Sequence, residues 1–425
     1  MIYMDYSNEP SRDILCIDIQ SFFASVEAVH RNLHPRDTSI AVISRKEQGG
    51  GLILAASPFV KKQYGLKTGS RGDEIPPQSH IYTVAPRMAQ YLEINQQINH
   101  LYLQFVAEED LHIYSIDESF LDVTRSHAIH GTTREIAKKI QYAIHEKFGL
   151  IATIGIGDNP LLAKLALDEE AKSNHPSYLA EWRYKDVSDK VWGMKQLTDM
   201  WGIGVRTERR LLKAGVSSIH DLAQADIHAL KKMYGVIGEQ LFFHAHGIDR
   251  SILSKRFLPA SKAFSKSQVL PRVYVNQYEL EVVIREMADQ VAARLRAHEV
   301  ETNVIHLRVG FSPDIADPGF AHQVNVHPTS SSKVIIEECL HIFRRHYRGQ
   351  PVRNVAISCG KVAPKSLLQF NLFEPPESTL LQEELERTVD RIRRKYGYPA
   401  LVHASSLTSG ATAIKRATLV GGHQG

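Results

Sequence analysis

Asp117 and Glu118 stand side by side in Ile113-Tyr114-Ser115-Ile116-Asp117-Glu118-Ser119-Phe120-Leu121-Asp122-Val123, whose β-branched and aromatic content predicts a strand or hairpin. Side chains alternate along a strand, so adjacent acids ordinarily face opposite ways. A tight turn or bulge over residues 115–119 would bring both to one edge, and such an edge suits a hard, oxygen-seeking ion such as Mg²⁺. Taken alone, the pair is equally the polar tip of a hairpin. A third acid, Asp18, interrupts the apolar run Ile14-Leu15-Cys16-Ile17-Asp18-Ile19, a buried strand leading into a helix. An acid at the end of a buried strand is costly unless positive charge meets it. Three carboxylates from two strands form the ligand set of a two-metal phosphoryl-transfer site; the plainer alternative for Asp18 is a solvated strand end.

The elements that must position these acids belong to a chain of 425 residues with 43% hydrophobic content, enough for two to four domains with their own cores. No apolar stretch approaches the roughly 18 to 20 residues of a membrane span. The polar, acidic start (Asp5, Glu9, Asp13) lacks a signal-peptide pattern, so a cytoplasmic protein is expected. Cys16, Cys339 and Cys359 have neither zinc spacing nor disulfide density and read as reduced structural thiols. The net charge of +4 is uneven: residues 1–176 carry −5, 177–258 carry +4, 259–363 carry +3 and 364–425 carry +2. An acidic part that needs cations, followed by basic modules, suits an enzyme that grips a polyanion.

In chain order, residues 39–44 and 52–56 read as short strands around a Gly49-Gly50-Gly51 turn, which lacks the Lys-Ser/Thr of a Walker A loop. A short helix over 58–67 is stopped by Gly65. Helical spacing covers 85–106 and 134–148, residues 152–157 read as a buried strand, and 159–168 as a helix carrying Lys164. Strands alternating with helices give an α+β or α/β domain. Trp201-Gly202-Ile203-Gly204, between short helical stretches at 195–200 and 205–212, has the helix-hairpin-helix pattern, in which glycines let the backbone approach a phosphate. Arg206, Arg209, Arg210 and Lys213 follow with the right sign, although a Gly-containing helix connection reads the same way. Beyond 257, strands at 263–270, 303–312, 320–326 and 352–361 and helices at 279–296 and 332–347 give the β-α-β-β-α-β order of a split βαβ domain. Lys262, Lys266, Arg272, Arg308 and Arg353 would make one face of its sheet a backbone-gripping surface. The Ala, Ser and Gly content of 400–422 predicts a poorly ordered tail.

With these residues in view, the chain resembles the Y-family translesion DNA polymerases, and within them the UmuC-like branch of the polymerase V catalytic subunit and the Gram-positive UV-resistance polymerases. The resemblance covers residues 12–363. It rests on Cys16-Ile17-Asp18-Ile19-Gln20-Ser21-Phe22-Phe23-Ala24-Ser25-Val26-Glu27, Tyr114-Ser115-Ile116-Asp117-Glu118-Ser119-Phe120-Leu121-Asp122, Ala163-Lys164 and Gly202-Ile203-Gly204. It implies an α+β multidomain right hand: an N-terminal segment and first palm strand (1–21), fingers (22–85), palm (86–176), a helical thumb with the hairpin (177–258), a split βαβ little finger (259–363) and a clamp-binding tail (364–425). It also implies that Asp18, Asp117 and Glu118, with the Ile19 carbonyl, hold two Mg²⁺ ions. Phe22, Phe23, Lys62 and Lys164 would contact the nucleotide, Phe23 lying beneath the sugar to exclude a 2′-hydroxyl. Gly202, Ile203, Gly204, Arg206, Lys266 and Arg308 would contact DNA. Gln369, Leu372 and Phe373, in Gln369-Phe370-Asn371-Leu372-Phe373, resemble the pentapeptide by which bacterial polymerases bind the sliding clamp.

The implied activity is error-prone, template-directed addition of deoxynucleotides to a primer 3′-hydroxyl, in DNA damage tolerance and SOS-type mutagenesis. The partners are primer-template DNA, deoxynucleoside triphosphates, the clamp and a UmuD-like or other regulatory subunit, with no membrane. Two departures stand out: Gln20 replaces an Asp common in the family, and Ser57-Pro58-Phe59 replaces a region that often offers a Tyr to the phosphates. No segment resembles a proofreading exonuclease. A catalytically idle, clamp-bound adaptor and a metal-dependent nuclease remain alternative readings.

Overall fold

The apolar run around Asp18 does form the central strand of a sheet. In a computed structural model describing residues 4–44, 51–255, 259, 261–365 and 376–424, β1 (Ile14–Ile19) leads into α1 (Phe22–Val29). The stretch expected to form the fingers follows as β2 (Ile40–Ile43), β3 (Ile53–Ala56), α2 (Pro58–Tyr64) and β4 (Tyr82–Val84), its strands making a small sheet ordered β3-β2-β4. Ser57 caps α2, accepting from the Val60 N–H, and Gly65 ends it in the left-handed region. Next come α3 (Met88–Tyr102), the hairpin β5 (Leu111–Ile113) and β6 (Glu118–Asp122), α4 (His127–His130), α5 (Thr133–Phe148), β7 (Ala152–Gly157), α6 (Pro160–Leu165) and β8 (Leu179–Trp182). The palm sheet is ordered β5-β6-β1-β7-β8, with β1 antiparallel to both neighbours and β8 parallel to β7. Its fifth strand therefore lies beyond the residue-176 boundary expected for the palm.

Alternation along β1 decides which face does what. Leu15, Ile17 and Ile19 pack with Tyr91 and Leu101 of α3 and Ile136 and Ile140 of α5. Ile14 and Cys16 point the other way, with Leu161 to Leu165 of α6. Asp18 shares that second face by the two-residue period. On β7, Gly155 and Gly157 pair with Cys16 and Ile14, and a Cβ at Gly155 would stand 2.1 Å from the Ala163 carbonyl. Only glycine lets α6 sit this close to the sheet. A π-turn over Ala166–Ala171 continues α6 and adds an extra residue to that stretch, as is common near functional sites.

The thumb is helical: α7 (Val205–Lys213), α8 (Ile219–Gln224), α9 (Ile227–Tyr234) and α10 (Val236–Ala245), packed through Leu211, Leu222, Leu230 and Leu241. This first compact unit runs to Arg256 and a second spans Phe257–Gly422.

In the second unit, β9 (Phe264–Tyr274), α11 (Gln277–Ala297), β10 (Val300–Phe311), β11 (Phe320–Thr329), α12 (Ser332–His346) and β12 (Val352–Gly360) realise the β-α-β-β-α-β pattern, as an antiparallel sheet ordered β11-β10-β12-β9. Helices α11 and α12 cover one face through Leu280, Met287, Val291, Ile335 and Phe343, against Leu270, Ile305, Leu307, Val355 and Ile357.

The tail departs from expectation. Residues 376–416 form α13 (Pro376–Tyr396), 3₁₀ turns and α14 (Ala413–Arg416), docked on α11. Arg296 of α11 donates to Asp390 at 2.6 and 3.0 Å and to Glu386 at 3.1 Å, and Arg393 donates to Asp289 at 2.7 Å. Glu286 accepts from the Thr412 and Ala413 N–H groups, both at 2.9 Å. Glu286 and Asp289 of α11 are only 3% and 4% exposed, with this extension supplying their hydrogen-bond partners. Composition pointed to disorder, whereas specific pairing with charges on α11 orders the segment. Gln369, Leu372 and Phe373 lie outside the described residues, as do Gly49 and Gly50. All three cysteines are free and buried, and no helix among the described residues is long and apolar enough to cross a membrane.

Candidate active site

The β1/β6 register sets Asp18 directly opposite Glu118, so the two side chains project from one sheet face. Asp117 precedes β6 in the hairpin turn and is fixed by its backbone, whose carbonyl accepts from the Ile19 N–H at 2.9 Å. Ser115 builds the turn: its hydroxyl donates to the Asp117 carboxylate at 2.6 Å and accepts from the Glu118 N–H at 3.1 Å. The turn expected at 115–119 is present, with Asp117 within it and Glu118 opening β6. Burial raises Asp18 from the ordinary 3.8 to about 6, with Lys172 opposing the rise and Asp117 and Glu118 adding to it.

The cations facing these acids come from three places in the chain. Lys164 of α6, 9% exposed along its side chain, reaches both Glu118 oxygens at 2.8 and 2.9 Å and Asp168 at 2.9 Å. Burial pulls Lys164 down, but the Glu118 hydrogen bond and the Asp168 charge outweigh it and hold the ammonium well above its usual range. Lys172, two helical turns on, donates to Asp168 at 2.6 Å and stands 3.9 Å from Asp18. Lys61 of α2 donates to Ser21 at 2.8 Å; burial lowers it, while Asp18 and Asp117 raise it. Lys62, expected at the triphosphate, is exposed on α2, as is Lys61, but it is Lys61 whose ammonium reaches Ser21 and feels Asp18 and Asp117. The Lys-x-x-x-Asp-x-x-x-Lys spacing of 164, 168 and 172 is visible in the sequence, whereas Lys61 carries no such signal.

Phe22 and Phe23 separate clearly. The side chain of Phe22 is 2% exposed and packs inside the palm core. Phe23 is half-buried and stacks on Tyr91 at 4.5 Å, 15° from parallel. The Tyr91 hydroxyl donates to Glu27 at 2.8 Å, and Arg87 holds the same buried carboxylate at 2.8 and 2.9 Å. Glu27 of α1 thus anchors the ring that supports Phe23. Gln20 donates to Thr153 at 3.2 Å and is thereby committed to β7.

In the thumb, Gly202 has φ +98° and Ile203 is buried, while Gly202 and Gly204 have nothing within 4 Å of where a Cβ would stand. Gly204 precedes α7 and offers no side-chain cap, leaving amino-terminal N–H groups for a phosphate. Arg206 is exposed on the first turn of α7. The helix expected over 195–200 is only a 3₁₀ turn, Leu197–Asp199. In the second unit, Arg308 lies on the open sheet face, since its neighbours Leu307 and Val309 point to the helices. Lys266 does not join it: in phase with core residue Leu270, it reaches back to Gln290 of α11, so its expected DNA contact from the open face is corrected.

Comparison with known proteins gives the class first. A solved Y-family DNA polymerase chimera, Dbh-Dpo4-Dbh, matches with a TM-score of 0.65 and 21% identity over 83% of this chain and 99% of that one, so the fold is that of a Y-family DNA polymerase. Residues 17–168 match the impB/mucB/samB family, residues 261–372 its C-terminal domain, and residues 194–241 the SAM-like helix-hairpin-helix tandem. A protein of Bacillus subtilis (strain 168) named for UV-damage repair, UvrX, is 41% identical over 99% of this chain and 100% of its own length. DNA polymerase IV 2 of the same organism is 32% identical over 96% of this chain and 98% of its own. The chain therefore belongs to the impB/mucB/samB family of Y-family translesion polymerases, which are DNA-directed DNA polymerases.

Proposed function

We propose that this polymerase adds deoxynucleotides in an error-prone manner to a primer 3′-hydroxyl opposite damaged template, by two-metal catalysis, in DNA damage tolerance and SOS-type mutagenesis. The observation that carries the reading is the pairing of Asp18 with Glu118 on one sheet face, Asp117 at the adjoining turn, and lysines from α2, α6 and the stretch after it around them. The relatives named for UV-damage repair and DNA polymerase IV support it.

Hard carboxylate oxygens are the donors Mg²⁺ prefers, and Asp18, Asp117 and Glu118, beside the Ile19 carbonyl, are the residues that would hold it. Among the described residues no three such side chains converge closely enough to hold an ion, and Glu118 is paired with Lys164. Bound there, Mg²⁺ supplies charge for the triphosphate and lowers the pKa of an attacking hydroxyl. Release of Glu118 frees the Lys164 ammonium for a phosphate oxygen, so one side chain serves both arrangements. Lys61 and Lys172 add positive charge where a triphosphate would lie. Phe23, braced by Tyr91, sits where a sugar ring would stack. DNA is held by the hairpin at Gly202–Gly204, by Arg206 and by the open little-finger face with Arg308. The sliding clamp is engaged through Gln369, Leu372 and Phe373. Primer extension with Mg²⁺ and four deoxynucleotides tests the reading: extension supports it, whereas inert primer or degraded primer contradicts it.

Truncating Phe23 opens room for a hydroxyl, so Phe23→Ala raises ribonucleotide relative to deoxynucleotide incorporation by roughly tenfold or more. An unchanged ratio in a folded, active variant returns Phe23 to the core. Metal binding has its own readout. The raised Asp18 pKa means that protonation favours the folded state; this contribution is full below about pH 4 and lost as pH rises through about 6. In metal-free buffer the wild type therefore loses stability relative to Asp18→Asn over that window. Millimolar Mg²⁺ at neutral pH raises the wild-type melting temperature by roughly 2–4 °C and leaves Asp18→Asn unmoved. A wild type indifferent to Mg²⁺ would remove the metal assignment.

A further inference from the structure

Lys266 finds a second setting on the helix side of the little-finger sheet. There α11, β9 and the C-terminal extension form an open cleft of about 400 Å³ lined by Lys266, Arg294, Arg393, Arg394, Arg416 and Asp390. Its two nearest ion pairs are internal: Asp390 is taken by Arg296, and Arg393 by Asp289 while stacking over Tyr398 at 4.6 Å. Lys266, Arg294, Arg394 and Arg416 remain. Their hydrogen bonds go to neutral groups: Lys266 to Gln290, Arg294 to the Ser265 carbonyl at 2.9 Å and Arg416 to Gln268 at 2.6 Å. Glu286 is the acid that acts on both Lys266 and Arg416, and the Thr412 and Ala413 N–H groups already occupy one of its oxygens. Burial, then Arg416 and Arg294, push Lys266 down to about 8. Four cations against one acid in a concave, half-buried setting is an arrangement that an isolated fold disfavours and a multiply charged anion relieves.

We infer that this pocket binds an oligophosphate, a pyrophosphate group or the phosphate chain of a nucleotide. A single phosphodiester carries one negative charge and leaves most of the surplus unmet, whereas two or three linked phosphoryl groups match it; guanidinium forks suit their oxygens. The pocket also lies on the sheet face opposite Arg308, away from the surface assigned to DNA. It exists only because residues 390–417 fold back on α11, which gives the extension a role besides pairing with buried acids.

Calorimetry on the full chain, in EDTA so that no metal-dependent nucleotide site contributes, tests the assignment. Pyrophosphate and a deoxynucleoside triphosphate are titrated separately, and a single-stranded oligonucleotide without terminal phosphate serves as competitor. Stoichiometric micromolar binding of pyrophosphate is expected, unaffected by Asp117→Ala and weakened roughly tenfold or more by Arg394→Ala with Arg416→Gln. Because Arg416 also anchors α14, Arg394→Ala alone provides the control: Arg394 is exposed, so binding weakens several-fold while the melting temperature holds. Absence of heat at millimolar pyrophosphate, equal binding by the Arg394 variant, or displacement by the oligonucleotide overturns the inference.

Discussion

Asp117→Ala lowers nucleotide addition by roughly 10³-fold or more, while primer-template affinity stays within a few fold. The separation follows from where each task resides. Asp117 sits in a turn held by Ser115 and the Ile19 N–H and contributes a charge to the palm, whereas phosphate backbone contacts are assigned to the thumb hairpin, Arg206 and Arg308. Glu118→Ala has the same catalytic effect with an added structural cost. It leaves the Lys164 ammonium in a nearly buried place with Asp168 as its remaining close carboxylate, and breaking such a pair costs about 3 to 5 kcal/mol. Glu118→Gln keeps the volume and part of the hydrogen bonding, so a melting curve beside the extension assay separates lost chemistry from lost fold. Near-normal extension by either alanine variant contradicts the site.

Leu372→Ala combined with Phe373→Ala weakens binding to the sliding clamp by roughly 10² to 10⁴-fold, and synthesis without clamp is unchanged. Burying each apolar side chain in a pocket is worth about 1.5 to 3 kcal/mol, and about 1.4 kcal/mol is tenfold in affinity. In sequence, Gln369, Leu372 and Phe373 fall between the last little-finger strands and α13. Calorimetry against the cognate clamp measures it. Equal affinity in the double variant means that the motif has no part in clamp binding.

What the sequence made legible was what alternation and period encode. The carboxylates on β1 and β6, the buried run of β7 and the β-α-β-β-α-β order of the second unit all follow from patterns of two or 3.6 residues, and each is observed within a few residues of its expected ends. The same alternation, applied to Lys266 with Leu270 as the reference, shows that it faces the helices; counting basic residues without their phase hid this. Lys61 and Lys62 differ only in helical direction, which depends on how α2 docks. Tyr91 beneath Phe23 and Arg87 on Glu27 join residues some 60 apart in the chain, and no local pattern reports such pairs. The small and glycine residues of 400–422 suggest disorder, yet Thr412 and Ala413 are fixed by Glu286 of α11, a partner more than 120 residues away that no local pattern reports.

Primer extension on a template carrying a single UV photoproduct, with Mg²⁺ and all four deoxynucleotides, tests the central claim most directly. The account predicts full-length product past the lesion from the wild type, none from Asp117→Ala, and none from either in EDTA. Product from Asp117→Ala equal to that of the wild type, or a primer that the wild type shortens or leaves unchanged even on undamaged template, would contradict it.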